Sequence, residues 1–237
     1  MKLYKLTDKN NYTFNDTLWG KNVSHSGTGE GDLCSPGWIH AYLSPELAVL
    51  LNPSHVGFSN PKLWEAEGEV SLNDNGLKVG CKTLTTIRQI PLPEFTINQI
   101  IAFGIYCALE VYKEESFVAW AEGWLSGKDR SKKAANTAWV TARSAAADYA
   151  ASADYAADYA ASAADYAAKS AASAAKSAAY AAKYAASASY ASYAADYAAS
   201  AAYWSAKIID LQALAIKVYN FKRNIKTFYL KEKDETL

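Results

Sequence analysis

Three histidines, His25, His40 and His55, stand 15 residues apart, and three glutamates, Glu65, Glu67 and Glu69, alternate along one short run. Residues of these types act as acid, base or metal ligand when a fold converges them. The histidine spacing supplies no carboxylate at helical distance and no ligand geometry, so no metal site is expected. Cys34, Cys81 and Cys107 are an odd set without Cys-x-x-Cys spacing. They read as ordinary buried or partly buried thiols in a reducing compartment. No Gly-x-Ser-x-Gly element marks a serine nucleophile. The glycines of His25-Ser-Gly-Thr-Gly-Glu-Gly-Asp32 could present backbone N–H groups to a phosphate, but Glu30 and Asp32 oppose an anion and no lysine closes the run. It reads as a flexible loop.

The elements that must position these groups fall into two halves. All six prolines lie at or before Pro93 and the last glycine is Gly127, so every strong helix breaker is in the first half. Met1 to Asp8 alternates apolar and polar residues and lacks the apolar stretch of a secretory signal, which predicts a strand and a cytoplasmic protein. Ser44-Pro45-Glu46 supplies the N-cap, first-turn proline and early carboxylate of a helix that stops at Asn52-Pro53. Leu63 to Leu72 alternates again, with Trp64, Ala66, Gly68 and Val70 on one face and the glutamates on the other. Asn73-Asp-Asn-Gly76 predicts a turn, and Leu77 to Ile90 one or two further strands. Thr96 caps a helix whose apolar residues, from Ile97 to Tyr112, recur at three and four. A second helix, near 115–125, carries the stripe Phe117, Trp120, Ala121 and Trp124, read as packing between the two halves.

The run Gly37-Trp-Ile-His40-Ala, then Ser44-Pro45, then a Glu-x-Glu-Gly-Glu strand, then Lys82 and Ile87-Arg-Gln-Ile-Pro91, resembles an uncharacterised domain family found mainly in phage genomes. Its members often carry alanine-rich, repeated carboxyl tails. The resemblance covers about the first 95 residues and implies a phage origin without an activity. A more distant similarity is to ADP-ribosyltransferase-like folds, carried by Ile39-His-Ala-Tyr42 and Ser44 to Ala48. It implies that Tyr42 or His40 stacks on the nicotinamide of NAD, that His25 holds the ribose, and that Glu65 or Glu67 stabilises an oxocarbenium-like transition state. The Glu-rich strand follows the helix too soon for that pattern, and no Ser-Thr-Ser element precedes it. Without the resemblance, His40 reads as a core histidine and the glutamates as a solvated strand face.

From 128 onward the chain holds no glycine or proline, and from Ala145 to Ser205 it is almost wholly Ala, Ser, Tyr, Asp and Lys. Such a composition predicts helix. At about 100° per residue, Tyr155, Tyr159, Tyr166, Tyr180 and Tyr184 fall within an arc of about 60°. Asp158, Asp165, Lys169 and Lys176 lie in a neighbouring arc, and the rest is nearly pure alanine. The tyrosine phase then slips at Ser187 to Ser192, which predicts a kink or turn. Leu211, Leu214, Val218, Phe221, Ile225 and Phe228 form a heptad-like seam that wants an apolar partner.

The fold class expected is α+β: a strand-rich domain over 1–95, junction helices over 96–127, and an alanine-rich helical hairpin or bundle over 128–237. A formal charge of zero argues against nucleic acid, and the repeated Asp and Lys of the alanine tract argue against a membrane span. The expectation is a non-enzymatic interaction protein without cofactor, binding a host or viral protein or a second copy of itself. Acidic residues precede basic ones along the tract, so an antiparallel pair sets Asp165 opposite Lys169 and Asp158 opposite Lys176. The alternative is an ADP-ribosyltransferase-like enzyme or a binder of a nucleotide signal.

Overall fold

The structure, a computed structural model, describes residues 1–131, 133–135, 137–138, 140–142, 144 and 209–220. These form a mixed α+β head. Seven strands come first: β1 (Lys2–Thr7), β2 (Tyr12–Thr13), β3 (Thr17–Leu18), β4 (Val23–Ser26), β5 (Ile39–Ala41), β6 (Lys62–Asn73) and β7 (Val79–Ile90). Helix α1 (Pro45–His55) lies between β5 and β6; α2 (Ile97–Val111) and α3 (Glu115–Leu125) follow, and α4 (Leu211–Asn220) returns from far along the chain.

The long hairpin β6–β7 is the spine. Asn73 Oδ1 accepts from Gly76 N at 2.8 Å and holds its turn. β1 pairs antiparallel with β6, while β4 and β5 pair with successive stretches of the other edge of β7. Tyr42, just past β5, then exchanges two backbone hydrogen bonds of 2.9 Å with Tyr4. The path β1–β6–β7–β5 therefore returns to β1.

Alternation splits the sheet into two faces. Leu3, Ala41, Ala66, Val79, Cys81 and Leu84 point inward and pack with Trp19 in a small core. Tyr4, Leu6, Tyr42, Leu63 and Ile90 point outward, into or against the main core. That main core also takes Leu47 and Leu51 of α1, Ile105 of α2, Trp124 of α3, and Ala138, Ala142, Ile209, Leu211 and Val218. It thus draws on all three regions into which composition divides the chain.

The end of α1 differs from the sequence reading. Helix α1 does not stop at Asn52-Pro53 but carries Pro53 inside its last turn. Asn52 closes the helix later: its carbonyl accepts from Val56 N (3.1 Å) and Gly57 N (2.7 Å), and its side-chain amide brackets the backbone of Phe58. A proline near a helix end deletes one backbone bond, and these contacts replace the lost order. The one or two strands expected from Leu77 to Ile90 are one, β7, with register shifts against β6. Cys81 and Cys107 are buried, whereas Cys34 is exposed.

Candidate functional site

On the outer face, backbone pairing lines up Tyr42, Tyr4, Glu65 and Arg88 across four strand segments. Glu65 accepts from Lys2 Nζ at 3.2 Å and from Arg88 Nη2 at 2.8 Å. The Lys2 hydrogen bond, reinforced by Arg88, holds the Glu65 carboxyl below its ordinary range. Tyr42 is buried; its hydroxyl lies 3.2 Å from His55 Nδ1, and the two rings stack with centroids 5.8 Å apart. Neighbouring strands are about 4.8 Å apart, so Tyr42 and Glu65, with β1 between them, are separated by about 10 Å at the backbone. Glu67, two residues on, is exposed.

His40 shares the outer face with Tyr42, and its Nε2 contacts the Leu33 carbonyl. Burial lowers the affinity of its imidazole for a proton, while the Leu33 carbonyl opposes that effect. His25 is elsewhere: β4 sets it opposite Leu84 on the inner face, edge-on to Trp19 at 4.7 Å, with Nε2 2.8 Å from the Leu18 carbonyl. The structure thus puts His40, Tyr42, Glu65 and Glu67 on one face and His25 on the other.

The glycine-rich run after β4 is tied back on itself. Gly29 N donates to Gly37 O at 2.9 Å, and Trp38 Nε1 donates to Gly31 O at 2.8 Å. A Cβ on Gly37 would stand 2.0 Å from the Glu30 carbonyl oxygen, so only glycine permits this approach. The loop thereby delivers Leu33 to His40. Among the described residues, no group of three or more His, Cys, Asp or Glu is arranged to hold a metal.

The described part of the seam, Leu211, Leu214 and Val218, finds a partner in its own chain. Leu211 and Val218 are buried in the main core and Leu214 packs against it. Gln99, buried on α2, donates from Nε2 to the carbonyls of Val218 (2.9 Å) and Tyr219 (3.1 Å). Lys217 stands 3.7 Å from the Tyr106 ring centroid, and Phe95 meets Tyr219 edge-on at 5.5 Å. Tyr155, Tyr159, Tyr166, Tyr180, Tyr184, Asp158, Asp165, Lys169, Lys176, Phe221, Ile225 and Phe228 lie outside the described residues.

Sequence reading missed Lys5. β1 buries both faces, so Lys5 sits inside with Leu3 and Thr7, only 9% exposed. Its Nζ donates to the His40 carbonyl at 2.7 Å and stands 5.2 Å from the Trp19 ring centroid. The next hydrogen-bonded rung of the Tyr4–Tyr42 ladder would set Leu6 opposite His40. The lysine serves that carbonyl instead. Burial pushes its ammonium down to about 8 from the ordinary 10.5, with the nearby Cys81 thiol pulling the other way. The only sequence signal is a lysine between Leu3 and Thr7 on one strand face, which is indistinguishable from a solvated position until both faces are known to be covered.

Compared with family models, curated proteins and solved structures, the chain matches none.

Proposed function

We propose that this is a non-enzymatic interaction protein in which the α+β head holds both ends of an alanine-rich helical hairpin, and that the hairpin pairs with a second copy of the chain. One observation supports it most directly. Ala138 and Ala142, before the alanine-rich stretch, and Ile209 and Leu211, after it, are buried in the same core. Both flanks of the alanine-rich stretch are thus anchored in the head, and α4 buries Leu211 and Val218 of the leucine seam there. The stretch of tyrosine, alanine and ordered charge between them is the surface proposed for a partner. Its acidic-then-basic sequence favours an antiparallel copy over a parallel one, because in-register parallel pairing sets like charges together. The phage-associated resemblance adds a host or viral protein as a second class of partner for the same surface. Among the described residues no helix is long and apolar enough to cross a membrane.

The nicotinamide reading needs His25 on the same surface as Tyr42 and Glu65. The sheet separates them, and Glu65 is engaged by two cations.

Sedimentation of the wild type and of a Lys169→Asp, Lys176→Asp, Lys183→Asp variant tests the proposal. A wild-type dimer at micromolar concentration that the variant weakens at low salt is expected. A monomeric wild type at high micromolar concentration would sink the pairing, as would a variant that associates unchanged.

A further inference from the structure

The turn between β6 and β7 carries Asn75-Gly76, the one place in the chain where glycine follows asparagine. Asn75 is exposed with a φ of 47° and Gly76 has a φ of 84°, the two positive values that a tight type I′ hairpin turn demands. Leu77 N closes the turn on the Asp74 carbonyl at 2.8 Å. Gly76 has no side chain to shield its backbone nitrogen from the Asn75 side chain beside it. One contact holds that nitrogen in place: its N–H donates to Asn73 Oδ1 at 2.8 Å. Just past the turn, Leu77 is buried in the main core with Leu211, and a Cβ built on Gly76 would stand 3.6 Å from the Ile209 carbonyl oxygen. The turn therefore abuts the chain where it enters α4.

We propose that Asn75-Gly76 is a self-modifying site, at which Asn75 loses its side-chain amide to give aspartate and isoaspartate at a rate set by Asn73. The Gly76 nitrogen forms a bond to the Asn75 side-chain carbonyl carbon, the bond from that carbon to Nδ2 breaks, and the proton of Gly76 N leaves with Nδ2 as ammonia. Water then opens the five-membered imide. Opening at the side-chain carbonyl gives aspartate, and opening at the main-chain carbonyl gives isoaspartate. No reactant but water is consumed, and Asn75 is exposed to it. Asn73 opposes the first step, because the nitrogen must leave Oδ1 before it can reach the Asn75 side chain. Isoaspartate adds a methylene to the main chain and a negative charge, so the two positive φ values and the Leu77 closure no longer fit, and the seat of α4 loosens.

The full chain is held at physiological pH and temperature, and its peptides are read by mass spectrometry with electron-transfer fragmentation, which separates isoaspartate from aspartate. Conversion at Asn75 should outrun that at every other asparagine. Asn73→Ala should convert about tenfold faster than the wild type, the worth of one hydrogen bond. Asn73→Asp, which keeps an acceptor oxygen, should stay near the wild-type rate, so the pair of variants reads the hydrogen bond even where the alanine weakens the hairpin. The converted chain, separated by its added charge, should melt below the fresh one. The proposal is overturned if Asn75 converts no faster than the other asparagines, if Asn73→Ala keeps the wild-type rate, if Asn73→Asp speeds conversion as much as Asn73→Ala, or if the converted chain melts like the fresh one.

Discussion

Gln99 donates to the carbonyl of Val218 at 2.9 Å across 119 residues of sequence. The same side chain accepts from Thr96 N at 2.8 Å through Oε1, while Thr96 Oγ1 accepts from Gln99 N at 3.3 Å. One buried amide therefore closes the start of α2 and fastens the end of α4. Cutting it leaves carbonyls unmet on one helix and the Thr96 N–H unmet at the start of the other. Gln99→Met, close in volume and unable to hydrogen-bond, should destabilise the fold by about 2 kcal/mol. Thr96→Ala removes the cap alone and should cost about 1 kcal/mol. Urea denaturation of both variants and the double variant checks this: the double should lose less than the sum, because the two residues share the cap.

The alkaline stability curve should carry the signature of Lys5. Its ammonium is brought from 10.5 down to about 8 by burial. Between those pH values the unfolded chain binds the extra proton, so stability rises with pH; below about 8 the full burial penalty is present. At 1.36 kcal/mol per pH step that penalty is about 3 kcal/mol. Lys5→Met should accordingly be more stable than the wild type at pH 7 and should lose that advantage by about pH 10.5. The Cys81 thiol, which burial pushes above its ordinary value, and the His40 imidazole both feel the same ammonium. The comparison is therefore made with Cys81→Ala in both chains; chemical denaturation from pH 7 to 10.5 reads it, and parallel curves would contradict it.

Two glycines should respond in opposite directions. Gly37→Ala drives a methyl against the backbone of Glu30, which cannot swing aside as a side chain does. A loss of about 2–3 kcal/mol is expected, with His40 released from Leu33. Gly123 lies inside α3 with nothing within 4 Å of its added Cβ. Gly123→Ala should stabilise by about 0.5–1 kcal/mol. Thermal melts of the two variants distinguish them by sign.

Signals local to a few residues were readable in advance. The Ser44 cap, the Thr96 cap and the stripe of Phe117, Ala121 and Trp124 are fixed by spacing within one or two helical turns, and the structure shows each. The Trp64, Ala66 and Val70 alternation likewise identified the face of β6 that turns inward. Nonlocal facts were not readable. Nothing near Tyr4 announces Tyr42 as its partner, nothing near Gln99 announces Val218, and Lys5 is an unremarkable strand lysine until β5 and Trp19 cover it. Pro53 misled for the opposite reason: a strong local breaker was overridden by Asn52, whose contacts reach Phe58.

The shared burial of Ala142 and Ile209 makes the last prediction. If the head needs both ends of the alanine-rich stretch, a chain ending at residue 144 should not fold stably, because Ile209, Leu211, Ala215 and Val218 leave the core. Their burial is worth on the order of 5 kcal/mol, comparable to the whole stability of a small domain. A chain in which 145–208 is replaced by a Gly/Ser linker of about 15 residues keeps every described core residue and should melt cooperatively, since lengthening or shortening a loop costs little. It should also be monomeric, having lost the stretch proposed to pair. Circular dichroism melts and sedimentation of the two chains give the answer. Cooperative melting of the chain ending at 144 would show that α4 is dispensable, and a linker chain that still dimerises would place the pairing surface on the head.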